Sequence, residues 1–279
     1  MKFASVLLAG AVCAAPLAAQ AVDKQDIEFG RPGNHPLYLD LHVPAGPGPF
    51  PAAILVHGGG FDEGSRKTNV RPLFQLLADA HYAWFSVDYR MAPEFRFPAA
   101  REDMDAAIKW VKAHAAEYKV DPKRIALIGE SAGGFMVNYA VTHETPETRV
   151  AALVDFYGPV DYKVLAAERR DHPERFNMTS INRHLADGGS SRFFEGAPPD
   201  SAAPIHAVHK GMPPVLAIHG TKDDQVPYTQ STMFCDAIRK VGTSCDIITI
   251  EGGGHGMGWK DPSMQHWKAE MIAWLNRNM

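Results

Sequence analysis

Three stretches of this 279-residue chain hold side chains whose types and spacing can do nucleophilic chemistry. The first is Gly129-Glu130-Ser131-Ala132-Gly133. A serine hydroxyl is a poor nucleophile until a neighbouring base takes its proton and an acid orients that base. Here the serine follows the apolar run Ile125-Ala126-Leu127-Ile128 and opens a helical segment. A strand, a sharp turn and a helix form the context that exposes a nucleophilic hydroxyl at the top of a sheet. The flanking glycines have no side chains to collide with the strand and helix. The helix N-terminus favours negative charge developing near Ser131.

The second stretch is His57-Gly58-Gly59-Gly60, directly after the apolar strand that ends at Val56. Acyl transfer passes through a tetrahedral oxyanion, which needs hydrogen-bond donors aimed at it. The expected donors are the backbone N–H groups of Gly59, Gly60 and Ala132. Glu130, beside these donors, is an expected substrate-binding residue.

The third stretch is a pair of late loops. Gly220-Thr221-Lys222-Asp223-Asp224 follows the strand Val215 to His219, and Glu251-Gly252-Gly253-Gly254-His255-Gly256 follows Ile247 to Ile250. Loops at the carboxyl ends of strands are where open α/β sheets build their sites. Nucleophile, acid and base then come in the order Ser131, Asp223, His255. His219 precedes the acid and breaks that order. Asp223 is favoured over its neighbour Asp224, which would brace the loop. Asp155 and Asp161 are weaker alternatives that read as structural. Such acyl transfer needs no metal or organic cofactor.

The elements that must position these groups alternate along the chain. Leu37 to Val43 alternates apolar and polar residues, as a half-buried antiparallel strand does. The wholly apolar run Ala52–Val56 suits a buried parallel strand, and Ala83–Val87, Ile125–Ile128, Val150–Phe156, Val215–His219 and Ile247–Ile250 are the further strands expected. Helices are expected over Val70–Ala80, Ala99–Ala115, from Ala132, and over Pro262–Asn276. This alternation predicts an α/β fold, a mostly parallel, doubly wound sheet in one domain over residues 22–279. Residues from about 161 to 212 break it and are expected to form a cap over the site. The cap carries Arg169, Arg170, Arg175, Arg183 and Arg192 with Phe176, Phe193 and Phe194. These read either as a pocket for an aromatic or acidic substituent or as a solvated basic face over a small apolar core. The solvated face is the simpler expectation.

Residues 1–21 are a different kind of sequence. Lys2, the apolar run from Phe3 to Leu17 and the small-x-small Ala19-Gln20-Ala21 fit a cleaved secretory leader, placing the mature chain outside the cytoplasm. The run is short for a membrane span and is broken at Pro16, so no stable membrane insertion is expected. Losing Lys2 moves the formal charge from −4 to −5. That balance argues against a nucleic-acid partner. Cys235 and Cys245 remain, either as a disulfide or as two buried thiols, and without clustered histidines they make no zinc site.

Taken together, the Gly129–Gly134 elbow, the His-Gly-Gly-Gly loop and Asp88-Tyr89-Arg90-Met91-Ala92-Pro93-Glu94 resemble the hormone-sensitive-lipase-like esterases. Phe156 to Asp161, Ala203-Pro204-Ile205 and the run Pro213 to Ser231 are similar to the bacterial acetylxylan/feruloyl esterase-like branch of the α/β hydrolases. The resemblance implies the α/β-hydrolase fold, Asp223 as the triad acid and Phe61 as a wall of the acyl pocket. It implies a small-molecule or polysaccharide-linked ester as substrate, with a short acyl, acetyl or feruloyl group. The competing readings are a serine peptidase of the same fold and a non-catalytic binding protein built on it.

Overall fold

The computed structural model describes residues 20–177, 193–194 and 200–279. The expected leader lies outside the described residues up to position 19, as do positions 178–192 and 195–199 of the expected cap. The chain enters through β1 (Val22–Gly30) and β2 (Leu37–Val43), which pair antiparallel. β3 (Phe50–Val56), β4 (Ala83–Val87), β5 (Val120–Glu130), β6 (Ala152–Phe156), β7 (Val215–Gly220) and β8 (Cys245–Ile250) complete one sheet. The strand order is β1-β2-β4-β3-β5-β6-β7-β8. β2 pairs with β4 antiparallel, and every later pairing is parallel. This is the α/β-hydrolase order.

The apolar strands read as parallel because both of their faces are covered. Ile54 and Val56 of β3 point into one core, and Ala53 and Leu55 point into the other. On the second face lie α1 (Pro72–Asp79), through Leu73 and Leu77, and the C-terminal helix, through Trp267, Met271 and Leu275. On the first face lie α2 (Ala99–Ala113), α3 (Ala132–Thr142), α4 (Tyr162–Asp171) and α5 (Thr229–Lys240). The C-terminal helix, α6 (Trp267–Asn278), starts later than its apolar pattern suggests, because Pro262–Met264 forms a separate 3-10 turn capped by Asp261.

Two elements depart from expectation. β1 was not anticipated, because only Phe29 of its nine residues is buried and a polar edge strand has no apolar alternation to betray it. The cap is also less irregular than expected. It opens with α4, whose N-terminal N–H groups at Lys163 and Val164 are accepted by the Asp161 side chain. Of the two cysteine alternatives the structure takes the disulfide, joining Cys235 on α5 to Cys245 at the start of β8.

Candidate active site

Ser131 stands between the end of β5 and the start of α3 with φ +53° and ψ −117°. A non-glycine residue held there stores strain of about 1–3 kcal/mol, which the surrounding packing must impose. The glycines on either side make that packing possible. A Cβ on Gly133 would sit 2.2 Å from the backbone oxygen of Val56, and one on Gly129 would sit 2.3 Å from that of Gly133.

His255 and Asp223 arrive from neighbouring strands. Asp223 follows β7 and His255 follows β8, and these two strands pair in register through Gly220 and Ile250. The hydroxyl of Ser131 is 2.9 Å from His255 Nε2, and His255 Nδ1 is 2.8 Å from Asp223 Oδ2. With Nδ1–H donating to the carboxylate, Nε2 is the acceptor for the serine proton. The other carboxylate oxygen of Asp223 accepts the backbone N–H groups of Gln225 and Val226 at 2.9 and 2.8 Å.

Burial penalises both charged forms, and attraction between the two groups outweighs it. Beneath His255 the Asp223 carboxylate holds the imidazole pKa above its ordinary value, with Glu130 adding to the effect. Despite its burial, Asp223 is held well below the usual carboxylate range by His255 and His219. His219 is fully buried. Its Nε2 donates to the backbone oxygen of Val226 at 2.8 Å and lies 3.4 Å from Asp223 Oδ2, while Nδ1 meets Ser231 Oγ at 2.7 Å. Its place before the acid thus makes it a brace for the acid loop.

The glycine loop after β3 lies across from the serine. Gly59 and Gly60 have φ of +108° and +62°, conformations that glycine adopts without strain. Both line the cavity in front of Ser131, as does Ala132, whose N–H is among the first of α3 and has no partner within the helix. Three contacts hold the loop. Tyr89 stacks on His57 and donates to its backbone oxygen at 3.1 Å. Ala92 N–H binds the Phe61 oxygen at 2.9 Å. Beyond the loop, Arg66 forms ion pairs with Asp26, Asp40 and Asp88.

Phe61 lines the cavity where expected, with its ring stacked on Phe193 at 3.9 Å. Glu130 also borders the cavity, and its carboxylate is engaged by the protein: it accepts Gly58 N–H at 2.5 Å and bonds the side chains of Asn69 and Tyr157. These bonds tie it to the glycine loop. Asp155 and Asp161 are structural, as expected: Asp155 accepts from Asn138 and from Gly158 N–H, and Asp161 caps α4.

The cavity has a volume of about 390 Å³. Sequence reasoning did not single out Tyr157, Tyr162 or Leu165 as lining it, and named Arg169 only as one of five cap arginines that read as a pocket or a solvated face. Tyr157 follows β6 with φ +43°, so its place at a strand's carboxyl end was a usable signal. Arg170 and Arg175 are exposed, in keeping with a solvated face, but Arg169 is buried at the cavity wall and corrects that reading. Arg183 and Arg192 lie outside the described residues. The described residues hold no cluster of three or more potential metal ligands.

Comparisons with known proteins agree with this fold. A family model described as BD-FAE matches residues 39–238. The chain is 32% identical over 238 residues to esterase LipC of Mycobacterium tuberculosis, covering 81% of this chain and 57% of that protein. It is 28% identical to the probable carboxylic ester hydrolase LipM of the same organism, covering 77% and 50%. It therefore spans about half the length of the curated relatives it matches. Among solved structures, propionate-bound esterase Est2 of Thermogutta terrifontis superposes with a TM-score of 0.72 at 26% identity, covering 91% of this chain and 94% of that one. The same esterase phosphonylated by sarin superposes with a TM-score of 0.72 at 25% identity, covering 94% and 95%.

Proposed function

Because the chain belongs to the BD-FAE family, we propose that it is a carboxylic ester hydrolase that works through Ser131, His255 and Asp223. The observation that carries this reading is the 2.9 Å approach of His255 Nε2 to the hydroxyl of a serine on a strained strand-to-helix turn. His255 takes the Ser131 proton as the oxygen attacks the ester carbonyl. Asp223 holds the ring and stabilises its cation. The N–H groups of Gly59, Gly60 and Ala132 receive the oxyanion. His255 then protonates the leaving alcohol, and water repeats the sequence to free the acid.

The substrate reading is an ester of a short acyl group or an acetyl or feruloyl ester of the plant cell wall. A cavity of about 390 Å³ walled by Phe61, Tyr162 and Leu165 is in the range of small-molecule sites. The propionate-bound relative supports the short-acyl end of that range. Action outside the cytoplasm goes with this reading, supported by the leader-like first 21 residues and by the Cys235–Cys245 bond.

The test is the initial hydrolysis rate on p-nitrophenyl acetate, p-nitrophenyl octanoate and methyl ferulate, beside Ser131→Ala. Turnover that disappears in the variant supports a serine esterase, and the ranking of the three sizes the acyl pocket. Equal rates for the two proteins on all three esters would overturn the reading.

A further inference from the structure

Arg169 stands in a cavity wall that joins Phe61, Tyr162 and Leu165 to the polar Asn69, Glu130 and Gln225. It lies on α4 one turn beyond Leu165 and two beyond Tyr162, on the face that the helix buries. Only 5% of its surface is exposed. One of its nitrogens, Nη2, donates to the backbone oxygen of Gln225 at 2.7 Å. Among the described residues its buried Nε and Nη1 find no hydrogen-bond partner. Among the described residues no carboxylate forms an ion pair with it. The carboxylate that acts on it electrostatically, Asp223, is already engaged by His255, His219 and two backbone N–H groups.

A buried guanidinium in this state is costly. Leaving a charged donor unsatisfied in a dry site is among the larger single penalties in a fold. Burial lowers its pKa to about 10, so it remains a cation at neutral pH. A structural arginine would have its N–H groups paired inside the protein. This one is tethered at a single nitrogen, against the loop that carries Asp223 and beside the cavity of Ser131.

We propose that Arg169 is an anion-recognising residue and that the ester substrate carries a carboxylate, on its acyl or its alcohol side, that the guanidinium receives. The inference rests on the ester-hydrolase reading and narrows its substrate to acidic esters. Charge-assisted hydrogen bonds to a carboxylate are the strong ones, and arginine suits them better than any other side chain. Selectivity follows because a neutral ester leaves the same N–H groups unpaired when the site closes over it.

The test uses two matched pairs of esters followed by pH-stat titration. Monomethyl succinate against methyl butyrate places the charge on the acyl side. 4-Acetoxybenzoate against 4-acetoxybenzamide places it on the alcohol side. In one pair the intact protein is expected to favour the acid by about thirty-fold in kcat/KM, chiefly through KM, and Arg169→Met is expected to abolish that ratio. Arg169→Lys should recover part of it. Calorimetric binding of monomethyl succinate and of 4-acetoxybenzoate to Ser131→Ala, with and without Arg169→Met, reads the same contact without turnover. Binding that depends on Arg169 supports the anion site even if no ester is cleaved, in which case the esterase reading alone has failed. No acid preference in either pair, a preference that survives Arg169→Met, or no Arg169-dependent binding overturns the proposal.

Discussion

The carboxylate of Glu130 accepts the backbone N–H of Gly58 at 2.5 Å, joining the residue before the serine to the loop that holds Gly59 and Gly60. The proposed nucleophile and the proposed oxyanion donors are thereby fixed to each other across two strands. Glu130→Gln keeps an acceptor for Gly58, whereas Glu130→Ala removes it and leaves a space beside Asn69 and Tyr157. We expect Glu130→Ala to lower kcat by about ten-fold or more, less than the 10²–10³ lost when an oxyanion donor is removed outright. Glu130→Gln should lose much less. Steady-state kinetics on one activated ester measures both, and equal losses would show that loop anchoring is not the role of Glu130.

The pH profile follows from the direction of the His255 shift. His255 must be neutral to accept the serine proton, and its pKa is held above the ordinary imidazole value of about 6.5. Activity should therefore fall on the acid side with an apparent midpoint in kcat/KM above that value. Removing a negative charge lowers the midpoint, so Asp223→Asn and Glu130→Gln should both shift it down. Asp223→Asn should also lose about 10⁴ in kcat, as a wrongly oriented imidazole does in serine proteases. A midpoint below the ordinary imidazole value in the unaltered protein would contradict this account.

Gly133→Ala tests the packing behind the elbow. The added methyl would meet backbone oxygens of Val56 and His57, which cannot turn aside as a side chain could. The expected destabilisation is about 3 kcal/mol, the upper range for overpacking a core. The urea unfolding midpoint measures it. An unchanged midpoint would mean that α3 can move away from β3 freely.

Cys235 and Cys245 are separated by ten positions in sequence. On the chain-entropy account, closing so short a loop stabilises by about 2–3 kcal/mol. Replacing both by alanine should lower the urea midpoint accordingly and leave kcat almost unaltered, because neither cysteine borders the cavity. Thiol titration of the denatured, unreduced protein should find neither of these two sulfurs free.

The residues proposed to react were legible in the chain because each sits in a turn or loop that follows an apolar strand. Parallel strands announce themselves by composition, and their carboxyl ends locate the loops. Ser131, Asp223 and His255 could be named on that basis, and the structure brings them within hydrogen-bond reach. Polar residues with tertiary partners were not legible. The sequence places Glu130 beside the serine but does not say that its carboxylate meets Gly58 from another strand. Arg169 was obscured for a related reason. Arginine at an apolar position of a helix ordinarily signals solvent, and only the fold shows that Tyr162 and Leu165 carry it inward. The Asp161 cap and the i, i+3, i+7 spacing of those three residues could have revealed α4.

The groups proposed to break the ester stand at the ends of β5, β7 and β8, whereas Arg169 stands on α4, in the segment inserted after β6. Reactivity and substrate preference are thus inherited on separate pieces of chain. The two pieces still meet at the acid loop, where Arg169 donates to the backbone oxygen of Gln225 and Asn177 N–H to that of Asp224. Exchanging the insertion would therefore also exchange two supports of the loop that carries Asp223.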